Sequence, residues 1–163
     1  MFNRDEWGYW LDYDKDCQDT RQEVLIAESE ILVTFTDEKK CRVATGKWTD
    51  VYTGSVFLTP SGIDIDHVVS IKEAHDSGGH AWDRDKKRAY FNDLNNPAHL
   101  IAISSSANRS KGDKQPHEWM PPNKNYWCKY LGSWVLIKYK WELNMDEAEY
   151  DGIVKLFSEN CTK

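Results

Sequence analysis

The amino-acid sequence predicts an α+β fold within a single compact domain, and three observations support this. The chain has 163 residues, enough for one ordinary domain and not comfortably for two. Short strand-like runs and helix-like segments are mixed without regular alternation, which is typical of the α+β class. Eight Trp, eight Tyr and five Phe supply apolar area for a core, while 29% charged residues keep the surface polar.

The first half of the chain combines one helix with short strands. Thr20 and Glu23 have the spacing of a capping box, and apolar residues follow at helical spacing over 24–32. Val33–Thr36 and Cys41–Ala44 alternate like two strands around a polar turn. This segment therefore predicts a helix followed by a hairpin.

The second half carries a strand, a helix, a strand and another helix in succession. Ile63–Ile71 and Leu100–Ile103 are strand-like, and a helix is predicted between them over about His80–Phe91. Ser104–Ser106 offers hydroxyls to cap the next helix, which Gly112 can end. Two further helices are predicted toward the C-terminus: Tyr126–Trp141 and a segment capped by Asn144 and Glu147.

An acidic segment before the first helix has two interpretations. Four carboxylates fall at positions 1, 3, 5 and 12 of a calcium-binding EF-hand loop. They are Asp12, Asp14, Asp16 and Glu23. The sixth position, which needs Gly for its turn, is occupied by Cys17. The competing interpretation assigns Glu23 to the capping box instead of a Ca²⁺ site, and the sequence favours the cap.

The four cysteines indicate the compartment. They are widely spread and include no C-x-x-C pair, so a structural zinc cluster is not expected. Proximity along the chain favours the disulfides Cys17–Cys41 and Cys128–Cys161, and four free thiols are the alternative. Disulfides would require an oxidising compartment, although Met1–Tyr13 is too polar for a secretory signal. We therefore expect a secreted or periplasmic mature form, with a cytoplasmic protein as the alternative.

Charge and hydropathy limit the partners. The net charge of −6 argues mildly against nucleic-acid binding, since basic surfaces usually provide the affinity. The cations are clustered, however, and one cluster comprises Arg109, Lys111 and Lys114. No apolar run is long enough to cross a bilayer, so no membrane partner is expected. A monomer is expected.

Two stretches contain the residue types needed for phosphodiester hydrolysis. Asp66 and His67 lie side by side near the end of a strand, and Asn108 and Arg109 follow on a helix. A carboxylate and an amide oxygen are suitable ligands for Mg²⁺ or Mn²⁺. A histidine can deprotonate water at neutral pH, and an arginine can hold a phosphate with its planar fork. The strand alternation places Asp64 on the same face as Asp66, in a supporting position.

These stretches resemble a known enzyme family. Asp64–Val69 (DIDHVV) and Asn108–Asp113 (NRSKGD) are similar to the HNH endonucleases of the His-Me finger (ββα-metal) class. The resemblance is closest to bacterial secreted HNH proteins related to the GmrSD C-terminal domain. It implies a ββα-metal core over about residues 62–115, surrounded by helices. It extends over almost the whole chain, including Asp16–Ile26, Cys41–Trp48, His75–Gly79, Glu118–Asn123 and Tyr126–Trp141.

The resemblance also implies roles for individual residues. His67 would be the general base, with Asp66 and Asn108 as the metal ligands. The family has an asparagine nine residues before the metal-binding asparagine, where it orients the catalytic histidine. This chain has His99 at that position, and Asn95 and Asn96 are close enough to substitute. The cations that would contact phosphate are Arg109 and Lys111.

Two functions are compatible with these observations. The first is a metal-dependent endonuclease that cuts DNA, or also RNA, with little sequence specificity, since 163 residues leave no room for a separate recognition domain. The second is a disulfide-bonded, calcium-stabilised secreted binding module whose HNH-like core is inactive. The intact Asp66, His67 and Asn108 favour the nuclease.

Overall fold

In the computed structural model, which describes residues 1–161, six α-helices are mixed irregularly with six short strands. The predicted α+β class is therefore confirmed. The helices are α1 (Thr20–Glu28), α2 (Ile71–Asp76), α3 (Arg84–Phe91), α4 (Ser105–Lys111), α5 (Trp127–Lys140) and α6 (Glu147–Asn160). The strands are β1 (Thr34–Phe35), β2 (Val43–Thr45), β3 (Trp48–Thr49), β4 (Val56–Phe57), β5 (Ile63–His67) and β6 (Leu100–Ser104).

The strands form three antiparallel pairs, and the pair β5–β6 leads directly into α4. Its register runs from Ile63 opposite Ser104 to His67 opposite Leu100. The Ser104 hydroxyl accepts a hydrogen bond from the backbone N–H of Ala107 and so caps α4. Gly112, with φ +55, ends the helix. Strand, strand and helix thus form a ββα unit.

The β5–β6 pair is covered on both faces. Along β6, Leu100 and Ala102 belong to a cluster that contains Trp48, whereas Ile101 and Ile103 belong to the larger cluster around Trp134. This separation follows from the alternation of side chains along a strand. The pair is therefore a rigid support for the residues at its end.

Two predicted caps are wrong by one or two residues. The carboxylate of Asp19, not Thr20, caps α1 by accepting a hydrogen bond from the N–H of Gln22. Thr20 is the first helical residue, and its hydroxyl instead contacts Asn92 at 2.7 Å. Similarly, Asp146 rather than Asn144 caps α6. In both cases an aspartate one or two residues from the predicted cap takes the position, and a carboxylate is among the best N-cap acceptors.

Two boundaries around the site also differ from the prediction. The strand predicted to reach Ile71 ends at His67, because Ser70 caps the short helix α2. The helix predicted from His80 begins at Arg84, since Asp83 accepts a hydrogen bond from the N–H of Lys86. The local capping side chains explain both differences.

Disulfides and a buried ion cluster hold the remaining segments. Both predicted pairs are bonded, with Cα–Cα distances of 5.0 Å for Cys17–Cys41 and 5.6 Å for Cys128–Cys161. Lys138 of α5 donates hydrogen bonds to Glu73 of α2 at 2.6 Å and to Glu149 of α6 at 2.9 Å. These contacts join three helices behind the ββα unit. No helix within the described part of the chain has the length and apolarity required to cross a membrane.

Candidate active site

The end of β5 and one side of α4 border a cavity of about 340 Å³. Four of the residues selected from the sequence line it: Asp66, His67, Asn108 and Arg109. The tertiary structure therefore brings together residues that are separated by more than forty positions in the chain. His99 and Lys111 lie behind this lining and are fully buried.

His67 is held in one orientation and one tautomer. Its Nε2 lies 2.9 Å from the backbone carbonyl oxygen of Phe91. A carbonyl oxygen only accepts, so Nε2 carries the proton and Nδ1 is the unprotonated nitrogen. The Trp10 ring stacks on the imidazole, with centroids 5.4 Å apart and an interplanar angle of 7°. Within residues 1–161, no group donates a hydrogen bond to Nδ1, which leaves this nitrogen available for a proton.

Burial determines the charge of His67. The side chain is 7% exposed, and this burial, followed by the effect of nearby His99, lowers the pKa of His67 well below 6.5. The imidazole is therefore neutral at pH 7. A neutral ring with a free Nδ1 can act as a proton acceptor.

His99 fixes the same stretch of backbone as His67. Its Nε2 lies 2.7 Å from the carbonyl oxygen of Tyr90, the residue before Phe91. Burial lowers the pKa of His99 to about 4, so this ring is also neutral at pH 7. The two histidines thus bind successive carbonyl groups at the end of α3. His99 binds the carbonyl that precedes the one bound by His67, and it does not line the cavity.

The two nearby asparagines do not take that role. The Asn96 side chain accepts a hydrogen bond from the N–H of Ala98, and so stabilises its own turn. The backbone N–H of Asn95 donates a hydrogen bond to the side chain of Asp93. Neither forms a hydrogen bond with His67 in the part of the chain described. His99 also forms no hydrogen bond with His67 among these residues, and its ring centroid lies 6.0 Å from that of His67.

Asp66 and Lys111 form a buried ion pair. The Lys111 Nζ lies 3.0 Å from Asp66 Oδ1 and 3.1 Å from the carbonyl oxygen of His67, and its side chain is 0% exposed. The Tyr52 hydroxyl donates to Asp66 Oδ2 at 2.8 Å. Burial raises the pKa of Asp66, against the opposing effects of Lys111 and Tyr52. The prediction that Lys111 contacts a substrate phosphate is therefore corrected, because its ammonium group is already enclosed.

Asp64 orients Asn108. The amide nitrogen of Asn108 donates to Asp64 Oδ2 at 3.0 Å, and the Ser105 hydroxyl donates to Oδ1 at 2.7 Å. Since a carboxylate only accepts, the amide nitrogen must face Asp64, and the amide oxygen is left for another partner. Asp64 thus supports Asn108 rather than facing the cavity itself.

The oxygen atoms at the cavity fit a divalent metal. Asp66 offers a carboxylate and Asn108 an amide oxygen, both of which are hard ligands suited to Mg²⁺ or Mn²⁺. Each Asp66 oxygen accepts one hydrogen bond and retains a further lone pair. The donor set is therefore compatible with a metal that keeps several waters.

Several contributors to this site had no signal in the sequence. Tyr52 and Trp10 contact Asp66 and His67 from distant segments. Arg4 lines the cavity although it lies near the N-terminus. No local pattern marks these residues, since only long-range packing brings them to β5.

The acidic segment before α1 folds into a separate cluster. Carboxylate oxygens of Asp12, Asp14 and Asp16 lie within 4.8 Å of one another. Burial raises the pKa of Glu23, and the charges of the three aspartates raise it further, so Glu23 lies near them. Cys17 has φ +77, the left-handed conformation for which the loop pattern expects Gly. The acidic cluster therefore lies directly before α1, and the capping box predicted from Thr20 and Glu23 is replaced by the Asp19 cap.

Comparisons with known proteins identify the family of the chain. The family model of the C-terminal domain of GmrSD restriction endonucleases matches residues 12–156. An uncharacterized secreted protein of Arthroderma benhamiae is 31% identical over 157 residues, which cover 96% of this chain and 74% of that protein. No solved structure matches the chain significantly. Together with the two disulfides, the secreted relative confirms the prediction of a secreted protein. The chain belongs to the family of GmrSD restriction endonuclease C-terminal domains.

Proposed function

We propose that the protein is a metal-dependent endonuclease that hydrolyses phosphodiester bonds in DNA with low sequence specificity. One observation carries this proposal. A neutral histidine with an unprotonated Nδ1 lines the same cavity as a carboxylate and an oriented amide. The family match supports a nuclease-like domain. The histidine, carboxylate and amide that line the cavity are the groups needed for hydrolysis.

In the proposed reaction, His67 accepts the proton of the attacking water. The proton moves to Nδ1 while Nε2–H stays bonded to the Phe91 carbonyl, which therefore keeps the ring aligned. The water oxygen forms a bond to phosphorus as the bond to the leaving oxygen breaks. A metal bound by Asp66 and Asn108 would supply charge stabilisation for this step. Arg109, exposed at the cavity, would hold a phosphate oxygen.

Incubation of the purified protein with supercoiled plasmid tests the proposal. We expect Mg²⁺ to support nicking and linearisation, and EDTA to stop both. An Asn108→Ala variant, which removes the amide ligand, should lose most of the activity at equal protein concentration. Such a loss would show that the cleavage does not come from a contaminating nuclease. A matched RNA substrate measures the preference for DNA.

One observation favours the inactive binding module as the second candidate. Lys111 and Tyr52 already occupy one acceptor position on each oxygen of Asp66. If no divalent metal supports plasmid cleavage, the nuclease proposal fails and this second candidate stands.

We also propose that the acidic segment binds Ca²⁺ as a structural ion. Asp12, Asp14, Asp16 and Glu23 would supply the carboxylate ligands. Asp12 Oδ1 is buried and has no hydrogen-bond partner among residues 1–161. A bound cation would supply a partner for this oxygen. This site lies apart from the residues that line the candidate active site.

Removal of Ca²⁺ should lower the thermal stability. At a Ca²⁺ concentration of about 100 Kd, binding stabilises the fold by about 2.7 kcal/mol. For a domain of this size, this corresponds to a Tm increase of roughly 5–11 °C. Asp14→Asn should abolish the increase measured by differential scanning calorimetry, whereas Asp85→Asn, at an exposed position of α3, should retain it. Equal Tm values with Ca²⁺ and with EDTA would exclude the site.

A further inference from the structure

The first eleven residues form a segment that lies against the candidate active site. They precede residues 12–156, to which the family model applies. Phe2 and Arg4 nevertheless line the cavity that contains His67 and Asn108. The inference below rests on the proposed nuclease function, because it concerns how the same cavity binds its substrate.

This N-terminal segment is fixed within and just after the short 3-10 helix Arg4–Glu6. Trp7, which follows the helix, is fully buried in the core. Glu6 accepts a hydrogen bond from Lys87 at 2.9 Å, and the Lys87 side chain is 8% exposed. Glu6 and the buried Trp7 lie two and three residues after Arg4. The backbone that carries the arginine is therefore held in place.

The end of the segment is tied to α3 and to His67. The Asn92 side chain accepts a hydrogen bond from the N–H of Leu11 at 2.9 Å and donates one to the carbonyl oxygen of Tyr9 at 3.1 Å. Trp10, between them, stacks on the His67 ring. The segment therefore touches the proposed base as well as the rim of the cavity.

The Arg4 guanidinium is a cation without a neutralising partner. It lies 5.6 Å from the centre of the Phe91 ring, and that ring is 4.8 Å from the His67 ring. Arg4 forms no ion pair with any carboxylate in residues 1–161. By contrast, Lys72, another cation at the cavity, is paired with Asp76. An unpaired guanidinium beside a proposed base is suited to an anionic substrate.

We propose that Arg4 is a phosphate-binding residue of this site and acts together with Arg109. Arg4 comes from the N-terminal segment and Arg109 from α4, so the two guanidinium groups reach the cavity from different elements. A planar guanidinium can hold two phosphate oxygens at once, which an ammonium group cannot. Phosphate contacts position the nucleic-acid backbone without reading bases. Arg4 and Arg109 would therefore bind a nucleic acid through its phosphate backbone and not through its base sequence.

Cleavage kinetics on a short DNA duplex with Mg²⁺ test this role. Arg4→Ala should lower kcat/KM by about 10- to 100-fold, because a charge-assisted contact is lost. Arg4→Lys should recover part of the loss, since it keeps the charge and lacks the fork. Arg42→Ala, which removes an exposed arginine that does not line the cavity, should match the wild type. All three variants should melt near the wild-type temperature, because exposed substitutions change the free energy of unfolding by about 0.5 kcal/mol or less.

Equilibrium binding separates this inference from the proposed function. His67→Ala protein and uncut duplex are titrated over a range of salt concentrations, with and without Arg4→Ala. Loss of one phosphate contact should reduce the slope of log K against log salt by about 1. If the wild type does not cut DNA but the slope changes, the nuclease proposal fails and Arg4 still binds phosphate. An unchanged slope, together with any measured kcat/KM within twofold of wild type, would overturn the inference.

Discussion

Replacement of His67 by alanine is expected to lower kcat/KM for DNA cleavage by about 10²- to 10⁴-fold, the range for loss of a general base. The reason is geometric. The Phe91 carbonyl fixes the proton on Nε2, so the proposed water can transfer its proton only to Nδ1 of this ring. His80→Ala changes an exposed histidine outside the cavity and should retain wild-type activity.

The pH dependence of the wild type provides a second measurement on the same residue. Burial lowers the pKa of His67 well below 6.5, so the ring is already neutral, with Nδ1 unprotonated, at pH 6.5. As the pH falls through this lowered pKa, the ring gains a proton and can no longer accept one. The acid limb of kcat/KM is therefore expected below pH 6.5. A variant His67→Ala with more than a tenth of the wild-type activity would show that another group is the base.

Replacement of Lys111 by methionine is expected to destabilise the fold by about 3–5 kcal/mol. Methionine fills a similar volume but leaves the Asp66 carboxylate buried with only the Tyr52 hydroxyl as a partner. For a domain of this size, the Tm should fall by roughly 6–20 °C. Lys114→Met, at an exposed position three residues later, should change the free energy of unfolding by about 0.5 kcal/mol or less.

A double-mutant cycle distinguishes the ion pair from a phosphate contact. In an Asp66→Asn background, the cost of Lys111→Met should fall well below its cost in the wild type, because no buried charge is left unpaired. Chemical denaturation measures all four proteins. If Lys111→Met keeps wild-type stability and loses only DNA affinity, Lys111 contacts phosphate after all and the buried pair is not its role.

Local sequence patterns predicted which helices and strands form better than they predicted where each one begins and ends. The β5–β6–α4 order could be predicted because alternating residues mark β5, a short apolar run marks β6, and Ser104 and Gly112 mark the ends of α4. The capping box at Thr20 was displaced by one residue because Asp19 offers a better acceptor next to it. When two possible N-cap residues lie within two positions of each other, the cap is the one whose side chain reaches a free backbone N–H of the helix. The spacing of residues along the sequence does not show which side chain does so.

The sequence by itself determined the α+β class and the resemblance that selected Asp66, His67 and Asn108, and it favoured the disulfide pairs that the structure then showed. It could do so because these features depend on periodicity, residue type and spacing along one chain. Only the tertiary structure decided the charge partners and orientation of the site. Lys111 became the buried partner of Asp66, the Phe91 carbonyl fixed the His67 tautomer, and the N-terminal segment brought Arg4 to the cavity. Each of these contacts joins residues far apart in sequence, so it depends on how the elements pack.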